Sequence, residues 1–240
     1  MTTEALADVS PDKAFYDAEA IATGDEHVMF VDEISSYFAS YSARLERDLQ
    51  GTAGVVVELG AGSCALSCNV SRLANANRIV AADISSKRMS LAIDRSAEIL
   101  KAEREKISTV ECDFNGRLPF DDATVDAILF DAALHHARNI WNLLTECSRI
   151  LRPGGKLIAQ RESYLSALRA DKQIGVLLKT PEVSAQVSEN MYLKAQYEYY
   201  LKVNGFSVDF IPYTNSRLKR ILGFANGWLF VDGSLYCSKV

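Results

Sequence analysis

One stretch constrains this chain more than any other: Gly54-Val-Val-Val-Glu-Leu-Gly-Ala-Gly62. Three successive valines between glycines leave no polar face, so a strand here is covered on both sides. Such a strand belongs to the interior of a parallel sheet, and parallel neighbours need long crossover connections. The sequence that follows supplies them in order. SCALSCNVSRLANA, 63–76, has helical spacing, and RIVAAD, 78–83, reads as a second buried strand. Ser85 or Ser86 caps a helix through Leu100, with Met89, Leu91, Ala92 and Ile99 on its apolar face. Strands are predicted at 107–112 and 124–131. The amphipathic HARNIWNLLTECSRIL follows, with RPGG as its stop, and KLIAQRE is the fifth strand. Strand–helix alternation from 54 to 162 demands a parallel α/β sheet with helices on both faces.

The flanks are read more simply. Ser10 and Pro11 start a short helix over PDKAFYDAEAIA. From 28 to 49, apolar residues at Val28, Val31, Ile34, Tyr37, Phe38, Tyr41, Leu45 and Leu49 mark a second helix, closed by Gly51. Periodicity is weak over 163–190. A helix is predicted over 192–205, a strand over 206–212, a helix over 217–225 and a final strand at SLYCSKV. No linker composition interrupts the 240 residues, so one domain is expected: a helical lid at 1–53, a core at 54–162 and an acceptor-side region at 163–240.

Composition narrows the function classes. Thirty-one acidic against 26 basic residues give a net charge of −5, which carries no footprint for a nucleic-acid backbone. No apolar run reaches the length of a membrane span, and the polar N-terminus lacks a signal-peptide core. Five cysteines, at 64, 68, 112, 147 and 237, form no C-x-x-C pair and sit in apolar stretches. They read as buried thiols of a cytoplasmic protein, and no zinc-ligand spacing is present.

In an open parallel sheet, ligands bind beyond the carboxyl ends of the strands. The first strand ends in Glu58-Leu-Gly60-Ala61-Gly62, whose glycines permit close backbone approach. Asp83 closes the second strand 21 positions after Gly62, a placement suited to gripping ribose hydroxyls. A dinucleotide or an adenosyl sulfonium compound fits this frame. Glu58 favours the second, since a carboxylate repels a pyrophosphate and attracts a ligand carrying an ammonium and a sulfonium.

The stretches VVVELGAGSCALS, IVAADIS, STVECDFNGRLPFDDATVDAILFDAALHH and LTECSRILRPGGKLI, in this order, carry a family resemblance. The chain resembles the class I S-adenosylmethionine-dependent methyltransferases, in particular their small-molecule branch. The resemblance implies a Rossmann-like, doubly wound sheet of seven strands, mostly parallel with an antiparallel last strand. It implies S-adenosylmethionine as cofactor, with Glu58, Gly60, Ala61 and Gly62 lining the methionine part. Asp83 would hold the ribose and Ile84 would pack on the adenine. Cys112 and Asp113 would meet the adenine, with Phe114 nearby, and Asp131 would face the sulfonium end or the acceptor. Many relatives have a third glycine where this chain has Cys64, so the following helix is expected to start slightly differently.

Methyl transfer needs alignment first, and a general base only where the acceptor loses a proton. His135 and His136, after the fourth strand, are the candidates, with a capping or loop-orienting role as the competing reading. Tyr16, beside Phe15, is a candidate for acceptor contact, against ordinary helix packing. Arg161 and Glu162 would bind a polar acceptor or pair with each other. Tyr164, Tyr192, Tyr197, Tyr199 and Tyr200 would wall an acceptor pocket or pack a helix. The expected partner is a small-molecule acceptor, with no nucleic acid, no membrane and the oligomeric state open. A nicotinamide-dependent oxidoreductase and a non-catalytic methyltransferase-like subunit are the alternatives.

Overall fold

The computed structural model describes residues 10–23, 44–73, 75–212 and 232–240. His27, most of the helix expected over 28–49 and the helix expected over 217–225 lie outside them. The elements are α1 (Pro11–Thr23), α2 (described over 44–49), β1 (Val55–Leu59), α3 (Ala65–Leu73), β2 (Arg78–Asp83) and α4 (Ser86–Leu100). They continue with β3 (Ile107–Glu111), β4 (Val125–Asp131), α5 (Ile140–Ile150), β5 (Leu151–Leu165), α6 (Ala170–Leu177) and α7 (Pro181–Ser184). The last are β6 (Tyr192–Leu193), α8 (Lys194–Val203), β7 (Phe206–Pro212) and β8 (Asp232–Lys239).

The sheet runs β3-β2-β1-β4-β5-β8-β7. The first five strands are parallel, and β8 is antiparallel to both β5 and β7. This is the doubly wound, mostly parallel sheet with the antiparallel last strand that the resemblance implies, with the two-residue β6 beside β5 as an eighth strand. Strand order reverses between β1 and β4, which opens a crevice beyond their carboxyl ends.

The valine run does what its composition requires. Val57 and Leu59 pack into one apolar cluster with Val80, Ile128, Phe130 and Leu144. Val56 points the other way, into a cluster with Leu66, Ile79, Met89 and Leu129. Successive side chains of a strand alternate between faces, so Glu58 shares the face of Val56 and lies under α3. Val56, Val57 and Leu59 are fully buried. Each such side chain contributes about 1.5–3 kcal/mol of apolar burial.

Local capping follows the sequence closely. The Ser10 hydroxyl accepts from Lys13 N at 3.2 Å. Ser85, not Ser86, caps α4 and accepts from Arg88 N at 3.0 Å. Asn139 caps α5. Three readings change. RPGG does not stop α5 before a turn, because β5 begins at Leu151, directly after the helix. Tyr192 and Leu193 form a short strand parallel to β5 rather than the first turn of α8. The weakly periodic 163–190 contains the end of β5 and the short helices α6 and α7. No helix among the described residues is long and apolar enough to cross a membrane.

The turn after β1 needs left-handed backbone at three positions. Gly60 has φ +74°, and a Cβ there would stand 2.7 Å from the Ala133 Cβ. Gly62 has φ +51° and Cys64 φ +60°. Cys64 therefore keeps a glycine-type conformation in place of the resembling proteins' third glycine, and α3 starts right behind it at Ala65. The fully buried thiol offsets the left-handed cost, about 1–2 kcal/mol for a residue with a Cβ. In urea unfolding, Cys64→Gly is expected to stay within about 1 kcal/mol of the wild type, since relieved strain and lost packing oppose each other. Cys64→Val, β-branched at the same φ, is expected to lose about 2 kcal/mol or more.

Candidate active site

The carboxyl ends of β1 to β5 surround a cleft of about 260 Å³. Every cofactor candidate from the sequence reaches it: Glu58 of β1 with Gly60, Ala61 and Gly62 after it, Asp83 of β2 with Ile84 after it, Cys112, Asp113 and Phe114 after β3, and Asp131 of β4. Arg161 from β5, His136 and Tyr16 of α1 complete the match. Asp12, Arg88, Asn115 and Ser188 also line the cleft, and sequence reasoning missed them.

Glu58 is 1% exposed. Its Oε2 accepts from Ser67 N at 2.8 Å and from the Ser67 hydroxyl at 2.5 Å. Burial pushes its carboxyl up to about 8, against the pull of the Ser67 donors. Asp83 ties two loops together, accepting from Gly62 N at 2.8 Å and Ser85 N at 2.9 Å. It does not itself cap α4; Ser85 does. Cys112 N bonds the Asp83 carbonyl at 2.8 Å, which draws the β3 exit against the β2 exit. Burial pushes the Cys112 thiol up to about 12, so it stays a thiol.

Arg161 and Glu162 do not pair with each other. β5 and β8 change register between Ala159 and Glu162, and Arg161 has φ +54°. This bulge re-aims consecutive side chains. Arg161 grips Asp131 through two bonds of 2.6 and 2.7 Å. Burial still raises the Asp131 carboxyl, partly offset by Arg161. Glu162, wholly buried, accepts from Ala133 N and Leu134 N at 3.1 and 3.0 Å and contacts His135 Nδ1 at 2.8 Å. Burial works against this charge, but His135 and the two amides hold the Glu162 carboxyl below its ordinary range. Glu162 thus lies behind the cleft wall, not in it.

The two histidines diverge. His135 is turned toward Glu162, and its Nε2 lies 3.7 Å from Glu189. Burial opposes its protonation, yet Glu162 and Glu189 raise its pKa overall. His136 lines the cleft, with Nδ1 2.8 Å from the Ser188 carbonyl and 3.0 Å from Glu189. Tyr16 stands edge-on to His136, ring centroids 6.1 Å apart, with Arg88 over its own face at 5.4 Å. The Tyr16 hydroxyl and Arg88 Nε are buried without a hydrogen-bond partner among the described residues. Both donors are thus left without an acceptor among the described residues. None of the tyrosines of 164–200 lines this cleft, and Tyr199 is exposed. Tyr164 and Tyr197 are fully buried and meet edge-to-face at 5.2 Å, and Tyr192 packs on Tyr197 at the same distance.

Residues 57–159, which contain the ends of β1 to β4, match the methyltransferase domain family. Demethylmenaquinone methyltransferase of Tropheryma whipplei (strain Twist) is 35% identical over 109 residues, 45% of this chain and 42% of that protein. The match thus spans less than half the length of that relative. Among solved structures, YcgJ of Bacillus subtilis superposes with a TM-score of 0.62 at 16% identity, over 84% of this chain and 98% of that one. A geranyl diphosphate methyltransferase bound to GPP and sinefungin gives 0.63 at 14% identity, over 84% and 78%. The cleft-forming residues 57–159 are thus similar to a methyltransferase domain, and the fold is that of the superposed methyltransferase structure bound to sinefungin, which supports S-adenosylmethionine as the cofactor.

Proposed function

We propose that this protein transfers the methyl group of S-adenosylmethionine to a small-molecule acceptor at oxygen or nitrogen. The observation that carries this reading is the convergence of Glu58, Asp83 and Cys112–Phe114 on one cleft at the strand-order reversal. The residues fit the cofactor. Gly60 and Gly62 let the backbone come close, Glu58 offers a buried acid to the ligand's cationic end, and Asp83 already presents its carboxylate beside Gly62. Ile84, Asp113 and Phe114 form the adenine end.

The cofactor supplies a methyl group already activated by its sulfonium. The protein's task is to align the acceptor, exclude water and receive a proton. Asp131 and Arg161, paired at the β4 end, form the floor where the two ligands meet. Tyr16 and Arg88 close the opposite wall with their unpaired donors. His136 is the general base of this reading. Its Nδ1 donates to the Ser188 carbonyl, which leaves Nε2 with a free lone pair. His135 is a positioning residue, held by Glu162 behind it.

Three outcomes check this proposal. Asp83→Ala is expected to weaken S-adenosylmethionine binding about 10–150-fold by calorimetry, the worth of one or two hydrogen bonds to a charged group. Unchanged affinity would remove the ribose role. Glu58 is mostly protonated below about pH 8 in the free protein, and a cationic ligand favours its ionised form. Cofactor binding at pH 7 is therefore expected to release protons, up to one per chain, seen as a buffer dependence of the binding enthalpy. The release fades as pH rises past 8 and disappears in Glu58→Gln. His136→Ala is expected to lower turnover about 10²–10⁴-fold while leaving cofactor affinity unchanged.

A further inference from the structure

Glu189 follows Ser188 in the segment between α7 and β6, far from the strand ends in sequence, yet its carboxylate stands between both histidines. Oε2 lies 3.0 Å from His136 Nδ1 and Oε1 3.7 Å from His135 Nε2. One ligand atom from each of the three residues falls within 4.8 Å of the others. We infer that His135, His136 and Glu189 form a binding site for a divalent transition-metal ion, at the acceptor end of the cleft. Two imidazoles and one carboxylate are the donor set that zinc and iron(II) take with open positions left over.

The spacing suits a shared ion. Bonds of about 2.1 Å at right angles set neighbouring ligand atoms about 3.0 Å apart. The Glu189–His136 distance has that value, and the Ser188 carbonyl, 2.8 Å from the same Nδ1, is placed as a further oxygen ligand. Coordination needs Nδ1 of His136 unprotonated, so the ring proton shifts to Nε2. The supporting shell is in place. Glu162 contacts Nδ1 of His135 at 2.8 Å, which fixes the tautomer that leaves Nε2 as the ligand. Asn190 N bonds the His135 carbonyl at 3.1 Å, and Ser188 N bonds Asp12 at 3.0 Å, so the loop carrying Glu189 is pinned on both sides.

The inference rests on the methyl-transfer reading only for its consequence. His136 and Ser188 wall the cleft, so the open coordination positions face the acceptor. An acceptor hydroxyl bound there loses its proton to solvent more readily, and the ion takes over the activating role of His136 Nε2. An oxygen acceptor with a second oxygen beside it is the substrate class that such an ion selects.

The test uses the full chain, stripped of metal, with no cofactor or acceptor present. Titration with cobalt(II) is expected to reach one ion per chain, with visible ligand-field bands and no thiolate charge-transfer band in the near ultraviolet. Calorimetry with zinc(II) is expected to give the same stoichiometry. Glu189→Gln should weaken binding at least about tenfold, and Glu162→Gln about 10–100-fold through the orientation of His135. Unchanged circular dichroism of both metal-free variants shows that they remain folded. No saturable binding, binding unaffected by Glu189→Gln, or a thiolate band would each overturn the site. Those results would leave the methyl-transfer reading standing on cofactor affinity, because none of them requires turnover.

Discussion

Four carboxyl groups at one edge of the sheet have to be satisfied away from bulk water, and the cleft is built from the ways they are satisfied. Glu58 takes two bonds from Ser67, which anchors the start of α3 to β1. Asp83 takes Gly62 N and Ser85 N, which joins the first loop to the cap of α4. Asp131 takes the Arg161 fork. Glu162 takes the amides of Ala133 and Leu134 and contacts His135. An unpaired buried charge costs several kcal/mol, so each partner is fixed as firmly as the acid demands. Loops that would otherwise be mobile are thereby held in one arrangement, as alignment of two reactants requires.

Among the described residues the donors to Glu58 are both on Ser67 and carry no charge, and burial pushes its carboxyl up to about 8. The imbalance has a direction. A cation entering the cleft relieves it, whereas a pyrophosphate would deepen it. In the proposed reading, one buried acid separates a sulfonium-binding sheet from a dinucleotide-binding sheet of similar outline, without a change in topology. The bulge at Arg161 makes a second local departure with a large consequence. It lets neighbouring residues of β5 serve two different walls, one on Asp131 and the other behind the histidines.

Much of this was legible in the residues. The valine run, the glycines, the capping serine and the alternation of strands and helices depend on neighbours within a few positions. Backbone propensity and face periodicity report such neighbours directly. The strand-end lining of the cleft was legible for the same reason, since each strand contributes residues at its own carboxyl end. Arg161 and Glu162 were found by position, but their pairing with Asp131 and with His135 was not, because a one-residue bulge is invisible to alternation. Arg88 carried a signal only as part of a short basic cluster on a helix.

The sequence by itself determined the sheet, its crossovers and the acid at the end of β1, because those follow from local spacing and from the need to bury apolar strands. Only the tertiary structure decided which histidine faces the cleft and that Glu189 stands between the two. Ser188 lies 52 residues beyond the histidine it contacts, and no periodicity links such distant positions. Their meeting depends on how the segment after β5 folds back, a choice made by packing against α1 and the β4 loop rather than by any preference of the residues themselves.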